Sequence, residues 1–187
     1  MKKSTIIAGV DEAGRGAWAG PIVAAAVVLP DKYNFQPIDS KKLSARQREI
    51  LFSKITINSV AWSVGLIEAG HIDNRGIQNA NHQVMIQAIS KLKIRPDLIY
   101  VDALKIKYGT TPVKAIIRGD SKIDAIAAAS IIAKVIRDTI MSGHHRLLPH
   151  WDFHQHKGYG TEEHHRLLNL SGMSPIHRRS FTPMNLM

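Results

Sequence analysis

The chain has 187 residues, of which 44% are hydrophobic, and its formal net charge is +10 at pH 7. This size is typical of one globular domain with a sizeable core, and the hydrophobic content argues against intrinsic disorder. The absence of cysteine excludes disulfide bonds, cysteine-ligated zinc and a thiol nucleophile. The basic excess is compatible with a nucleic-acid partner or with an ordinary solvated surface, and charge alone favours neither.

Neither a leader peptide nor a membrane span is expected. The N-terminal sequence lacks a long apolar segment followed by a cleavage site. The longest uncharged apolar stretch, residues 17–30, is too short and too rich in glycine and proline to cross a bilayer. We therefore expect a cytoplasmic protein that makes no membrane contact.

Hydrophobic patterning predicts a mixed α/β architecture. Strands are predicted at residues 6–10, 22–29, 60–67, 98–101 and 112–117. Helices are predicted at residues 45–55, 72–92, 121–141 and 161–168. Ser44 and Gln47 have the spacing of a capping box at the first helix. After Gly143 the chain is rich in histidine, with eight of the ten histidines, and we expect short helices and loops there.

Four acidic residues are candidates for a metal site: Asp11, Glu12, Asp102 and Asp120. Three of these positions follow predicted strands, and carboxylates at the ends of neighbouring strands meet at one edge of a sheet. Hard cations such as Mg²⁺ and Mn²⁺ prefer oxygen ligands of this kind. Successive strand residues point to opposite faces, so we expect the strand to twist or break at Asp11 and Glu12. Taken singly, each acid is equally compatible with an ordinary surface position.

Three further segments are candidate substrate contacts. The glycines of Gly14-Arg15-Gly16 allow a backbone to approach a sugar or phosphate closely. Tyr159 lies between two glycines, and its hydroxyl is suited to recognise a ribose 2′-OH. Lys42 precedes a predicted helix, where a phosphate is favoured. Taken alone, each segment is also compatible with a solvated turn or a packed tyrosine.

The histidines near residue 150 raise the alternative of a zinc site. His150, His154 and His156 lie close together in sequence. Without cysteine, and without a confidently predicted helix to align a pair, the pattern favours surface or phosphate-contacting histidines over a zinc site.

Seven segments in chain order resemble the bacterial ribonuclease HII family, the type 2 ribonucleases H. The segments are residues 9–16 (GVDEAGRG), 39–44 (DSKKLS), 100–102 (YVD), 119–122 (GDSK), 125–138 (AIAAASIIAKVIRD), 156–161 (HKGYGT) and 174–181 (SPIHRRSF). Together they extend over nearly the whole chain, and in this order they are highly specific.

The resemblance implies an RNase H-like fold, with a central mixed five-stranded sheet flanked by helices and a small helical C-terminal extension. Residues 1–143 would form the catalytic domain, and residues 144–187 an extension packed on it. The implied activity is metal-dependent cleavage of RNA in RNA–DNA hybrids. The resemblance also implies cutting on the 5′ side of single ribonucleotides embedded in duplex DNA, which leaves 3′-hydroxyl and 5′-phosphate ends.

The resemblance also assigns roles to residues. Asp11, Glu12, Asp102 and Asp120 would be the catalytic ligands of two Mn²⁺ or Mg²⁺ ions. The substrate contacts would be Gly14, Arg15 and Gly16 together with Tyr159 at the 2′-OH, and Lys42 at a phosphate. We expect a monomer whose partners are RNA–DNA hybrids and ribonucleotide-containing duplex DNA.

Two positions and the C-terminal segment depart from the family pattern. Ala103 follows the third acid where the family usually has glycine, and Trp18 is bulkier than the residue expected after the Gly-Arg-Gly segment. Residues 182–187 contain no clear sliding-clamp motif, so we do not expect clamp binding.

Two other functions remain open at the level of sequence. One is a non-catalytic module that binds RNA–DNA hybrids and uses the acids to hold a structural cation. The other is a nuclease of the same fold that cuts DNA junctions.

Overall fold

A computed structural model describes residues 5–33 and 43–187. The described residues form a central five-stranded sheet in the order β3-β2-β1-β4-β5. The strands are β1 (Ile7–Ala13), β2 (Ile22–Val28), β3 (Ala61–Ile67), β4 (Leu98–Asp102) and β5 (Val113–Ile116). Strand β1 is antiparallel to β2 and parallel to β4, β2 is antiparallel to β3, and β4 is parallel to β5. The prediction of a mixed sheet is confirmed.

Six α-helices flank this sheet in the described part of the chain. They are α1 (Ala45–Asn58), α2 (Ala69–Arg75), α3 (Ile77–Ser90), α4 (Asp124–Leu147), α5 (Phe153–His156) and α6 (Glu162–Ser171). Helix α1 begins at the predicted cap. The Ser44 hydroxyl accepts a hydrogen bond from the Gln47 N–H, and the Gln47 side chain accepts one from the Ser44 N–H. Within the described ranges, no helix is both long enough and apolar enough to span a bilayer.

The observed bounds differ from the predicted ones by a few residues at most helices, and two of the differences change the description of the fold. The helix predicted at residues 72–92 is two helices, because Gly76 has φ +78° and interrupts the chain between α2 and α3. A left-handed backbone of this kind ends an α-helix, and glycine adopts it at little cost. Helix α4 begins at Asp124 and continues to Leu147, so a boundary after residue 143 lies inside this helix. The division of the chain there stays a prediction.

The helices lie on opposite faces of the sheet. On one face, α3 residues such as Val84 pack against Val10 and Ala24. On the other face, alanines of α4 pack against Ala13 and Ala25. Consecutive strand residues therefore contribute to two different cores.

Helix α4 lies very close to strand β1. A Cβ atom placed on Gly9 would be 2.1 Å from the backbone carbon of Ala125, a distance that no side chain tolerates. The four alanines at positions 127, 128, 129 and 133 are fully buried along this helix. The small side chains bring the backbone of α4 onto the sheet beside the strand that carries Asp11 and Glu12.

Candidate active site

A cavity of about 450 Å³ opens where strands β1 and β4 end. Its lining residues are Asp11, Glu12, Ala13, Gly14, Arg15, Gly16, Asp102, Asp120, Ser130, Lys134 and Tyr159. The fold therefore brings together all four predicted acids, the predicted glycine-rich segment and the predicted tyrosine. The remaining predicted contact, Lys42, lies outside the described residues.

Asp11 and Glu12 lie within strand β1, so of the predicted twist or break, a break at this pair is wrong. Strand β1 stays paired with β2 as far as Ala13, whereas its pairing with β4 ends at Val10. Beyond Val10 one side of β1 is therefore unpaired, and the two carboxylates lie on opposite faces of an open edge. Opposite faces of a strand end can both line a cavity when no neighbouring strand separates them.

Each of these two acids has a polar neighbour on a different helix. Hydrogen bonding from Ser130 of α4 favours the charged form of Asp11. Hydrogen bonding from Asn81 of α3 does the same for Glu12. The Asp11 carboxylate also accepts a hydrogen bond of 2.8 Å from the Glu12 N–H. The pair thus connects the two helical layers at the cavity.

Burial and repulsion between neighbouring acids disfavour the ionised forms of Asp11 and Glu12. Burial raises the pKa of Asp11 well above its usual range, and the charges of Glu12 and Asp102 raise it further. Burial also raises the pKa of Glu12; the cation of Arg15 lowers it, and the charge of Asp102 raises it. A cation bound among these groups would stabilise their ionised forms.

A hydrogen bond from the backbone links the Asp102 carboxylate to the turn that carries Asp120. The Gly119 N–H donates a 2.7 Å hydrogen bond to the Asp102 carboxylate. This bond holds the short 3₁₀ turn Gly119–Ser121, which contains Asp120, against the end of β4. The cavity consequently receives Asp120 from a turn rather than from a strand end.

A hard divalent cation fits the donors that line this cavity. They include four carboxylates, and burial together with repulsion from neighbouring acids raises the pKa of Asp11 and of Glu12, which a bound cation would counteract. In the described ranges, no three acidic or histidine side chains meet closely enough to enclose an ion by themselves. The residues therefore supply oxygen ligands around a shared cavity rather than a closed cage.

A buried arginine, which sequence reasoning did not identify, binds the segment after strand β1 and the segment before Tyr159. Arg137 of α4 is fully buried and donates hydrogen bonds of 2.9–3.0 Å to the carbonyls of Pro21, Ala19 and Lys157. Its side chain occupies the space in which a Cβ on Gly14 would lie, 2.0 Å from the Arg137 Nε. Glycine at position 14, with φ +90°, thus allows the loop to close over the guanidinium group.

A second buried arginine, Arg178, supports the same loop from the C-terminal segment. It donates hydrogen bonds of 3.0 Å to the carbonyls of Gly20 and Arg15. Burial, with repulsion from Arg137, lowers the pKa of Arg178 to about 9. The side chain therefore remains a cation at neutral pH.

Two residues of α4 also line the cavity without having been predicted as site residues. Ser130 and Lys134 are one turn apart, and Lys134 lies over the Tyr159 ring, 5.2 Å from its centroid. Two polar residues four positions apart among alanines and isoleucines are the sequence signal that could have identified them.

The histidines do not form the zinc cluster that was weighed as an alternative. His150 and His154 are exposed, whereas His156 is buried. His156 instead stacks on His164, which in turn packs on His177, so the three rings come from three separate segments.

Comparison with known proteins agrees with this geometry. The family model "Ribonuclease HII" matches residues 8–184. The chain belongs to the ribonuclease HII family. These are metal-dependent endonucleases of the type 2 ribonuclease H class, and they act on RNA–DNA hybrids.

Individual ribonucleases HII and H2 resemble the chain over most of its length. Ribonuclease HII of Lactobacillus gasseri is 46% identical over 185 residues, which are 98% of this chain and 74% of that protein. The crystal structure of ribonuclease H2 from Pyrococcus horikoshii matches with a TM-score of 0.80 at 29% identity, covering 96% of this chain and 95% of the other. The ribonuclease HII in a PCNA complex from Archaeoglobus fulgidus matches with a TM-score of 0.79 at 27% identity, covering 94% and 95%. The predicted RNase H-like fold is confirmed.

Trp18, the bulky departure from the ribonuclease HII pattern, packs over the tyrosine segment. A Cβ on Gly160 would lie 2.3 Å from the Trp18 ring, and the ring centroid of His164 is 5.3 Å away. The backbone N–H of Trp18 donates a 2.7 Å hydrogen bond to the Gly158 carbonyl. The larger side chain thus fills the space between the glycine-rich segment and the tyrosine segment.

Ala103, the other departure, has a left-handed backbone conformation with φ +49°. A Cβ in this region costs roughly 1–2 kcal/mol. The chain therefore carries strain at the residue directly after Asp102, where the ribonuclease HII pattern has glycine.

Replacing Ala103 with glycine should stabilise the protein. We expect Ala103→Gly to raise the free energy of unfolding by about 0.5–1 kcal/mol, because relief of the strain exceeds the entropy that glycine adds to the unfolded state. Urea denaturation measures the change. Ala61→Gly in strand β3 is the matched control and should lower stability. Equal destabilisation by both substitutions would contradict the argument.

Proposed function

We propose that this protein cuts on the 5′ side of single ribonucleotides embedded in duplex DNA, as well as within the RNA strand of longer hybrids. Cleavage would leave a 3′-hydroxyl on the upstream strand and a 5′-phosphate on the ribonucleotide. The observation that carries the proposal is the shared cavity, whose lining includes four carboxylates, the Gly14–Gly16 segment and Tyr159.

The acids would act through divalent cations. Asp11, Glu12, Asp102 and Asp120 would hold two Mn²⁺ or Mg²⁺ ions. When bound, such ions lower the pKa of the attacking water and offset the charge on the departing 3′ oxygen. The carboxylates also orient the site, because Asp11 and Glu12 are fixed on a strand and Asp102 is fixed by the Gly119 N–H.

The opposite wall of the cavity would recognise the ribose. The Tyr159 ring lies near two cations, Lys134 Nζ at 5.2 Å and the Arg137 guanidinium carbon at 5.0 Å. These contacts hold the ring while leaving the residue partly exposed. Its hydroxyl would pair with the 2′-OH, while the backbone of Gly14–Gly16 approaches the sugar and phosphate. Lys42 would contact a phosphate of the hybrid.

The two other functions considered from the sequence, a binding module and a nuclease of DNA junctions, fit these observations less well. Membership of an enzyme family argues against a purely binding module, and the tyrosine beside the acids favours a ribose-containing substrate over an all-DNA junction. The monomeric state, the cytoplasmic location and the absence of clamp binding stay predictions. The PCNA complex is a property of the Archaeoglobus fulgidus protein.

Mapping the product ends tests the proposed specificity. A labelled DNA duplex with one ribonucleotide should be cut once, 5′ to the ribonucleotide, when Mg²⁺ or Mn²⁺ is present. No cutting is expected with EDTA or on the same duplex with deoxyribose throughout. Cutting 3′ to the ribonucleotide, or of an all-DNA junction, would refute the proposal.

Removing one carboxylate should separate activity from stability. We expect Asp11→Asn to lower kcat at least about 100-fold, because the site loses charge at its most buried acid. The same substitution should maintain or raise the free energy of unfolding, since it removes the cost of burying a charge at Asp11 and its repulsion from Glu12 and Asp102. Initial rates and urea denaturation measure the two effects.

Asp97→Asn is the control for this substitution, because Asp97 precedes the opposite end of strand β4 and binds the Ile6 N–H. It should leave kcat within about twofold of the parent value. Near-normal turnover of Asp11→Asn would remove Asp11 from the catalytic set.

Removing the tyrosine hydroxyl should affect ribose recognition. We expect Tyr159→Phe to lower kcat/KM about tenfold on the single-ribonucleotide duplex, the cost of roughly one hydrogen bond to the 2′-OH. The ring and its contacts with the two cations are retained, so thermal stability should change little. Tyr108→Phe, outside the cavity, is the matched control. Parent-like cleavage by Tyr159→Phe would show that Tyr159 does not read the ribose.

A further inference from the structure

Three buried histidines lie directly behind Tyr159 and take no part in the proposed chemistry. The rings of His156 and His164 stack with centroids 4.0 Å apart and an interplanar angle of 11°. The Nε2 atoms of His164 and His177 are 2.9 Å apart. His164 and His177 are 0% and 2% exposed. None of the three histidines lines the cavity.

The hydrogen bonds determine which nitrogen of each ring carries the proton. The Ser174 N–H donates to His177 Nδ1 over 2.8 Å, so this nitrogen is an acceptor and the proton of a neutral His177 is on Nε2. His177 Nε2–H then donates to His164 Nε2. His164 consequently carries its proton on Nδ1, which donates over 2.9 Å to the Tyr159 carbonyl. The hydrogen bonds from Ser174 through His177 and His164 to Tyr159 all run in the same direction. Each ring nitrogen of His177 and His164 has a partner in this arrangement.

His156 holds the adjacent residue in the same way. Its Nδ1 accepts a 3.1 Å hydrogen bond from the Gly158 N–H, so its proton is on Nε2 and donates over 2.7 Å to the Trp151 carbonyl. The tyrosine segment is therefore held at Gly158 by one ring and at Tyr159 by the next.

Protonation would disrupt this arrangement. A charged His164 or His177 would point an N–H of one ring at an N–H of the other across 2.9 Å. Burial, together with repulsion among the rings, lowers the pKa of His164 and of His177 to about 4, and burial also lowers the pKa of His156. The charged groups that face the cluster are Asp152 and Glu163, and both act on His156.

The same cluster supports the glycine-rich segment. The Trp18 ring packs on the His164 ring, and the backbone N–H of Trp18 donates a hydrogen bond to the Gly158 carbonyl. Because this hydrogen bond joins two backbones, it does not depend on the His164 side chain.

We propose that His164 and His177 are positioning residues for ribose recognition, forming a proton-ordered chain that fixes the Tyr159 backbone beside the cavity. The kinetic part of this inference rests on the proposed role of Tyr159. The histidines themselves touch neither substrate nor metal ligands.

The proton order can be tested on the parent enzyme without substrate. Long-range ¹H–¹⁵N correlation spectra of the histidine rings at pH 7 should show His164 as the Nδ1–H tautomer and both His156 and His177 as Nε2–H tautomers. His164 and His177 should remain neutral as the pH is lowered to 5. A protonated ring at pH 7, or His164 in the Nε2–H form, would overturn the proposal.

The positioning role can be tested with matched variants of α6. His164→Leu removes the donor to the Tyr159 carbonyl, whereas the amide of His164→Asn can reach the place of Nδ1 and keep that bond. We expect His164→Leu to lower kcat/KM on the single-ribonucleotide duplex on the order of tenfold, and His164→Asn to recover most of the loss. His165→Leu, at the exposed neighbouring histidine, should stay within about twofold.

A double-mutant cycle distinguishes positioning from a general loss of structure. If His164 acts through Tyr159, His164→Leu should cost less than about twofold in a Tyr159→Phe background. An equal loss in both backgrounds would overturn the positioning role. Parent-like cleavage by Tyr159→Phe alone would instead refute the proposed role of Tyr159, and the tautomer spectra would then decide the proton-ordered chain independently.

Discussion

The cavity depends on one buried guanidinium group. Arg137 projects from α4 and binds the carbonyls of Pro21 and Ala19 on one side and of Lys157 on the other. One side chain thereby fixes the segment after β1 and the segment before Tyr159 relative to the same helix. Its removal would leave three carbonyls without their donor in the interior, a cost that exceeds the worth of three ordinary surface hydrogen bonds.

Helix α4 joins the stability of the fold to the construction of the site. Its first turns lie against the backbone of β1, where Gly9 leaves room for the close approach. Its next turns present Ser130 and Lys134 to the cavity, and the turn after that supplies Arg137. Close packing at one end of the helix thus fixes the backbone from which its later side chains reach the cavity.

The sequence was sufficient to predict the mixed α/β architecture and the convergence of the four acids. Strand patterning identified all five strands, and the positions of Asp11, Glu12, Asp102 and Asp120 at element ends indicated a shared edge. The break predicted at Asp11 failed because it considered one strand alone. In the fold, β1 stays paired with β2 beyond the point where its pairing with β4 ends, so an open edge arises without a break in the strand. Strand pairing is a long-range property that local periodicity does not contain.

The buried supports of the site were beyond sequence reasoning for a related reason. In the sequence, an arginine in an alanine-rich helix is as compatible with solvent as with the interior. The burial of Arg137 is stabilised by hydrogen bonds to carbonyls of segments that are distant in sequence. The histidine chain likewise joins residues 13 positions apart, and its proton order depends on a backbone N–H at Ser174. Gly76 could have been identified as a helix interruption, because glycine in a helical pattern is a recognised breaking signal.

The two buried arginines give the cavity a permanent electrical polarity. Their acceptors are neutral carbonyls, so the positive charge of Arg137 and Arg178 persists behind one wall, while carboxylates occupy the other. Mobile ions in solution screen buried charges far less than exposed ones. The electrostatic field of these two cations should therefore depend less on ionic strength than the field of the surface lysines does.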